Sequence, residues 1–179
     1  MLVERIREIG LIDIERFLPH ARRHAEENGD ATTPLFATLE PWDGDRIRNL
    51  LVHGLAAGLG SPGWCRVWTA EADTGEILGH LGLRARGESG TEHRALVNFG
   101  VLNPHRRRGV ATRLLQTGIC WAKTTSLAWL DAQVFAENKP TLVLLLRHGF
   151  KEVGRTQDMF RIGGQRIDDV ALAFRVRSP

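Results

Sequence analysis

The chain has 179 residues, 42% of them hydrophobic and 25% charged, with a net charge of +3, which describes one domain able to bury a core without disulfide or metal staples. No apolar run approaches the ~20 residues of a membrane span, Cys65 and Cys120 are too few for a disulfide framework or zinc site, and the charged opening MLVERIREIG is unlike a secretion signal. Five tryptophans and seven phenylalanines stand beside no tyrosine, so no phenol carries the chemistry.

From the N-terminus, Ile14, Phe17, Leu18, Ala21 and Ala25 recur at helical spacing, with Asp13 as N-cap and Gly29 as stop. Pro19 inside that stripe predicts a kink or a later start. Residues Ala31–Pro41 read as a loop anchored by Leu35 and Phe36. Ile47, Leu50, Leu51 and Leu55 after Asp45 predict a second helix ending among the glycines of 58–63. The first third is therefore expected to be helical, and residues 1–60 hold no readable motif.

The period then changes. Cys65–Ala70 and Ile77–Arg84 are β-rich runs separated by Asp73-Thr74-Gly75, a hairpin signal. Gly87–Gly90 is a further turn and Ala95–Val101 a third strand. Ala111, Leu114, Leu115, Gly118, Ile119 and Ala122 mark one face of a helix, with Cys120 placed toward the core. Leu127–Phe135 predicts a strand with Leu130, Ala132 and Val134 on one side. Thr141–Arg147 is a short helix stopped by Gly149, and Phe150–Gly154 and Val170–Val176 close as strands. Hairpins followed by a strand–helix–strand crossover imply a single α/β (α+β) domain with a mixed sheet, not a doubly wound one.

The segment that carries chemistry is Val101-Leu-Asn-Pro-His-Arg-Arg-Arg-Gly-Val-Ala-Thr112. A strand ends, a basic loop follows, and an amphipathic helix begins. Unpaired N–H groups and the helix dipole favour an anion there, and small residues such as Gly109 and Ala111 let a pyrophosphate approach the backbone. Arg106, Arg107 and Arg108 add charge. All but Lys123, Lys139 and Lys151 of the 24 cationic residues are arginine, the side chain that grips phosphate bidentately. The triple arginine has no interleaved aromatic residues, and the net charge is mild, so nucleic acid is not the expected partner.

Arg106-x-x-Gly109-x-Ala111 resembles the acyl-CoA-binding motif of the GNAT (N-acetyltransferase) superfamily. Val134-Phe135-Ala136-Glu137-Asn138 looks like the end of that family's fifth strand. Asn138-x-x-Thr141-x-x-Leu144-Leu145-x-x-x-Gly149-Phe150 is similar to the helix that follows it, and Gly154-Arg155 and Asp168-Asp169 are also familiar. The likeness covers roughly residues 65–176. It implies a mostly antiparallel central sheet with flanking helices and a splayed parallel pair, here Ala95–Val101 and Leu127–Phe135. It further implies acetyl-CoA as cosubstrate, with an acceptor-side region in residues 1–60. Backbone groups around Phe99, Gly100 and Val101 would hold the pantetheine arm, and Arg106, Arg107, Arg108, Gly109, Val110, Ala111 and Thr112 the pyrophosphate. Asn138 would cap the next helix or bond the cosubstrate. A small-molecule or peptide amine would attack the thioester directly. A second copy of the chain is the other expected partner.

Two departures matter. Arg107 stands where many members carry a second glycine. Leu145 stands where many carry a tyrosine proposed to protonate the departing thiolate; Thr141, at a position some subgroups fill with serine, is the substitute acid on this reading. Glu92 and His93 are candidate bases, and Asp131 and Glu137 further ones, each with a plainer reading: a polar strand entrance for the first two, a solvated strand face for Asp131. Trp64, Trp68 and Trp129 fit either an acceptor pocket or buried packing. His148 complements a helix C-terminus, and acidic Glu26, Glu27 and Asp30 either attract a cationic amine or end a solvated helix. The competing reading is a non-catalytic acyl-CoA-binding or sensing module.

Overall fold

The computed structural model describes residues 5–28 and 42–177. Its strands are β1 (Arg5–Glu8), β2 (Cys65–Glu71), β3 (Ile77–Ala85), β4 (Arg94–Val101), β5 (Trp129–Phe135), β6 (Lys151–Ile162) and β7 (Gln165–Arg175). Its helices are α1 (Ile14–Asn28), α2 (Gly44–Ala56), α3 (Val110–Lys123) and α4 (Lys139–Arg147). The strands form one sheet in the order β1-β2-β3-β4-β5-β7-β6, antiparallel except where β4 meets β5. That is the mixed, mostly antiparallel architecture expected, with helices on both faces. Among the described residues no helix is long and apolar enough to cross a membrane.

Alternation along the strands sends side chains to two separate cores. On one face Leu81, Leu83, Ala95, Val97, Leu130, Ala132, Val134, Val170 and Leu172 pack against Leu114, Leu115, Ile119 and Ala122 of α3. On the other, Cys65 and Val67 of β2 pack against Phe17, Leu18 and Ala21 of α1 and Ile47 and Leu51 of α2. The parallel contact is short: Arg94, Ala95 and Leu96 pair with Trp129, Leu130 and Asp131, and nothing beyond them pairs. Downstream, β4 is held only by β3 and β5 only by β7. The splay that the sequence likeness implied is present.

Several local expectations need correction. The chain does not enter as helix: Arg5–Glu8 is a strand antiparallel to β2, its polar letters explained by an edge position. Asp13 does not cap α1. Its carboxylate accepts the Gly10 N–H at 2.9 Å and binds Arg7. Pro19 neither ends nor starts α1 but lies inside it. Asp43, not Asp45, caps α2 by accepting the Arg46 N–H at 2.9 Å. Leu50 faces outward, and buried Gly54 takes its place on the inner stripe. Cys120 is exposed, not inward. The two closing strands, expected at Phe150–Gly154 and Val170–Val176, extend much further toward one another into the β6–β7 hairpin, which turns at Gly163-Gly164 and carries irregular pairing between Thr156 and Phe160, where Asp158 is left-handed (φ 51°). Gly29, Asp30 and the Ala31–Pro41 loop lie outside the described residues.

The middle of α3 lies close against β3. A Cβ placed on Gly118 would lie 2.8 Å from Leu81 Cδ2, inside any real contact distance, so only glycine lets the helix sit this low. Gly118→Val is expected to lower folding stability by about 1–3 kcal/mol, the usual range for overpacking a tight core. Urea denaturation compared with the wild type measures it; an unchanged midpoint would contradict the packing described.

Candidate active site

At the end of β4 the chain makes a short turn, Asn103–His105, and reaches α3 through Arg106–Gly109. Gly109 is the residue before α3 and is left-handed (φ 78°); Arg107 is left-handed too (φ 62°). A Cβ on Gly109 would meet nothing within 4 Å, so glycine is required for its backbone angle and leaves open space beside the helix start. The first bond closing α3 runs from the Arg113 N–H to the Gly109 carbonyl at 3.1 Å. The N–H groups before it therefore have no acceptor within the helix. At Arg107, a side chain bears the left-handed strain, roughly 1–2 kcal/mol, in the position where the likeness called for a second glycine. Arg106 Nε donates to the Val101 carbonyl at 3.0 Å and ties the loop to the strand end.

These elements surround a cleft of about 860 Å³ at the end of β4, on its side facing the α3 and α4 starts, within the usual size of a ligand site. Phe99, Gly100 and Val101 of β4 line it. So do Arg106, Arg107, Gly109, Val110, Ala111 and Thr112 at the α3 start, and Asn138 and Thr141 at the α4 start. The nominated binding residues thus converge on one cavity, with the exception of Arg108, which is exposed and outside the lining. Asn138 caps α4: its side-chain oxygen accepts the Thr141 N–H at 3.3 Å. Lys139, Arg147 and His148 also face the cleft. No carboxylate lines it among the described residues, so its fixed charges there, Arg106, Arg107, Lys139 and Arg147, are all positive beside an otherwise largely apolar wall. This arrangement suits an extended polyanion with a thin linear arm: charge and helix dipole at one end, an unpaired strand edge at the other.

Other nominated residues do not come to the cleft. Glu92 and His93 precede β4 at its opposite end, seven strand residues from Gly100, about 23 Å at the usual rise. Glu92 accepts the Gly90 N–H instead, and the His93 carbonyl accepts from Ala128 and Trp129. Neither acts as the base on this geometry. Asp131 is buried, not solvated, between Arg86 at 2.8 Å and Arg94 at 2.5 Å. Glu137 is exposed outside the lining. Trp64 and Trp68 are core residues, while Trp129 stacks under Arg94 and Arg175. Leu145 is 1% exposed and packed in the core, and its neighbour Leu144 faces the cleft. Glu27 is no solvated helix end: it accepts the Asn103 N–H at 2.7 Å and binds Arg23.

Histidines supply what the sequence reading missed. His24 of α1 lines the cleft against Gly100. Behind it, His80 of β3 is buried, meets His24 edge to face at 5.1 Å between ring centres, and shares a 3.0 Å hydrogen bond with His20. Burial, with the nearby Arg106 charge, lowers His24 to about 4. Burial and the neighbouring His24 lower His20 to about 3, and burial holds His80 well below the usual imidazole value. All three are neutral at pH 7. The visible signal was spacing: His20 and His24 stand one helical turn apart, three and seven residues after Phe17.

Comparison with known proteins agrees with this architecture. The family model described as the acetyltransferase (GNAT) family matches residues 26–150. An uncharacterized N-acetyltransferase of Bacillus subtilis (strain 168), YycN, is 26% identical over 142 residues, covering 78% of this chain and 87% of that protein. YwnH of the same organism, named as a candidate phosphinothricin acetyltransferase, is 28% identical over 103 residues, 57% of this chain; the chain spans 63% of YwnH's length. The solved GCN5-related N-acetyltransferase from Kribbella flavida superposes with a TM-score of 0.78 at 20% identity, over 96% of each chain. A GNAT superfamily phosphinothricin acetyltransferase from Sinorhizobium meliloti, solved in complex with AcCoA, gives 0.81 at 15% identity, over 97% of this chain and 89% of that one.

Because the folded chain holds these histidines neutral, the unfolded chain binds protons that the fold refuses. Stability is then full above about pH 6.5 and falls as pH drops toward the lowered midpoints. Unfolding free energies from urea titrations are expected to fall between pH 7 and pH 5 by roughly 2 kcal/mol for each histidine still neutral in the fold. His24→Gln removes one such contribution; a pH dependence identical to wild type would contradict the depressed value.

Proposed function

The chain belongs to the acetyltransferase (GNAT) family, and from that membership we propose that it transfers an acetyl group from acetyl-CoA to a primary amine of a small molecule or peptide. The observation that carries this reading is the cleft that joins the end of β4 to the α3 and α4 starts, with Arg106, Arg107, Lys139 and Arg147 in its wall. Its residues fit the cosubstrate. The N–H groups around Gly109–Thr112 and the Arg106 and Arg107 guanidinium groups suit a pyrophosphate, and Lys139 and Arg147 add charge at the cavity wall. The unpaired edge of β4 at Phe99–Val101 offers backbone partners to the pantetheine arm.

When bound, acetyl-CoA supplies an activated acyl carbon; the protein positions it and stabilises charge. Backbone donors at the β4 edge, aimed at the carbonyl oxygen, are worth on the order of 3–4 kcal/mol for a strong donor. Thr141, half-buried at the cleft wall, stands ready to pass a proton toward the leaving sulfur, where Leu145 offers none. A thiol ionises near ~8.5, so the thiolate leaves tolerably unaided. The absent phenol then lowers the rate by no more than the low end of the usual 10²–10⁴ for general acid catalysis. The buried Leu145 also suits the alternative of a binding module without turnover, which the same experiment separates.

Release of free thiol from acetyl-CoA, followed against a panel of aliphatic amines, amino acids and N-terminal peptides, is expected to show turnover with at least one class. Tight acetyl-CoA binding without turnover on any amine would instead mark a sensor. Gly109→Asp is expected to weaken acetyl-CoA by about 100-fold or more, close to 3 kcal/mol. It places a carboxylate at the helix N-terminus where the phosphate belongs and burdens a left-handed angle. Unchanged affinity by calorimetry would overturn the cradle assignment.

A further inference from the structure

We propose that His24 is the catalytic proton acceptor for the attacking amine, an imidazole that α1 delivers to the β4 side of the cleft. The inference rests on the acetyl-transfer reading above and adds to it the group that reading lacks. The nominated carboxylates are remote, exposed or ion-paired, and the cleft lining holds none among the described residues.

Geometry selects His24 from the three cleft histidines. A Cβ built on Gly100 would overlap its Nε2, Cε1 and Cδ2 atoms. The Nε2 end of the ring therefore points at the β4 backbone where the thioester arm would run. Glycine at position 100 is what admits the ring. His105 is turned toward Glu76, 3.6 Å from its carboxylate. His148 Nδ1 bonds the Leu144 carbonyl at 2.8 Å, at the C-terminal end of α4. The position of His24 is also fixed from both sides. Glu27, one turn along α1, accepts the Asn103 N–H and locks the helix to the turn after β4. His80 supports the ring from beneath.

Around His24 the charged and titratable neighbours are His20 and Glu27 on α1, His80 on β3 and Arg106 after β4. Burial is the first cause of its lowered basicity and Arg106 the second, while Glu27 opposes both. A polyanion engaging Arg106 cancels the second cause. Basicity at His24 thus rises when the cosubstrate is in place, and the proton is taken only in the loaded site. In the reaction, the acceptor ammonium gives one proton to His24 Nε2. The amine nitrogen then bonds to the acyl carbon as the carbon–sulfur bond breaks. The second nitrogen proton passes to the departing sulfur through Thr141 or water, and His24 returns its proton to solvent. The products are the amide, the free thiol and one proton.

The test is His24→Gln, with His24→Asn as a second variant should the first fail to fold, each checked by circular dichroism. Either variant is expected to lower kcat/KM for the best amine about 100-fold, to lose the acidic limb of the pH–rate profile, and to keep acetyl-CoA affinity within threefold by calorimetry. Independently of turnover, the His24 ring followed by NMR in the wild type is expected to titrate at least one pH unit higher when coenzyme A is added. Wild-type turnover with an unaltered rate and profile in both variants would overturn the assignment of His24 and leave acetyl transfer standing. An unmoved titration midpoint would overturn it as well. Binding of acetyl-CoA without wild-type turnover on any amine would overturn acetyl transfer, and this inference with it.

Discussion

Two parallel strands that hold one another for three residue pairs and then part are the feature on which the rest of the structure depends. A strand edge left unpaired inside a protein is costly, because each buried donor or acceptor without a partner forfeits about 1–3 kcal/mol. The parting survives because each strand is secured on its other side. β4 pairs with β3 from Ala85–Ala95 to Gly79–Val101, and β5 pairs with β7 along its full length. The gap is therefore held open by flanking ladders, and its polar edge is available to a ligand that brings matching groups. An unpaired edge of this kind is a binding surface created by what the sheet withholds.

Both ends of the gap are set by glycines that allow close approach. On one face Gly118 lets α3 sit on Leu81. On the other, Gly100 admits the His24 ring of α1. The same opening thus receives a positive helix end with arginine side chains from one core and a neutral imidazole from the other. Neither core alone would place both. Glu27, bonded to the Asn103 N–H, ties the two sides through the turn between them. A shift in either helix therefore reaches the cleft.

The sequence disclosed the parts whose signals are local. The Asp73-Thr74-Gly75 hairpin, the inward stripe of α3 and the Arg106–Ala111 loop each announce themselves within a dozen residues. So do the α4 cap at Asn138 and the stop at Gly149. Parts fixed by distant partners stayed hidden. Arg5–Glu8 carries one apolar residue, Ile6, and pairing with β2 makes it an edge strand. The β6–β7 hairpin is interrupted by a left-handed Asp158, and β6 is exposed along most of its length, so no apolar alternation marks it. Asp131 looks solvated on a strand until Arg86 and Arg94, some forty residues away, arrive beside it. In the site the same division holds: the Arg106–Thr112 segment that lines the cleft is contiguous and legible as a unit, whereas His24 reaches Gly100 across 76 residues of chain.

The missing tyrosine takes on a different meaning in this setting. Its place, Leu145, belongs to the core rather than to the cleft wall. Proton transfer at the leaving sulfur is the less demanding half of the proposed reaction, since a thiol near ~8.5 is the weaker base, while an alkyl ammonium near ~10 must surrender a proton before it can attack. A chain with one specialised proton-handling group gains most by setting it against the amine. On the proposed reading Thr141, half-buried in the cleft wall beside Leu144, serves the sulfur, and His24 of α1 serves the amine from the β4 side. Burial leaves the imidazoles of His20, His24 and His80 neutral. The arginine that helps depress His24 is the one tied to the end of β4 at the phosphate cradle, so occupancy of the cradle and basicity at the opposite wall are linked through a single side chain.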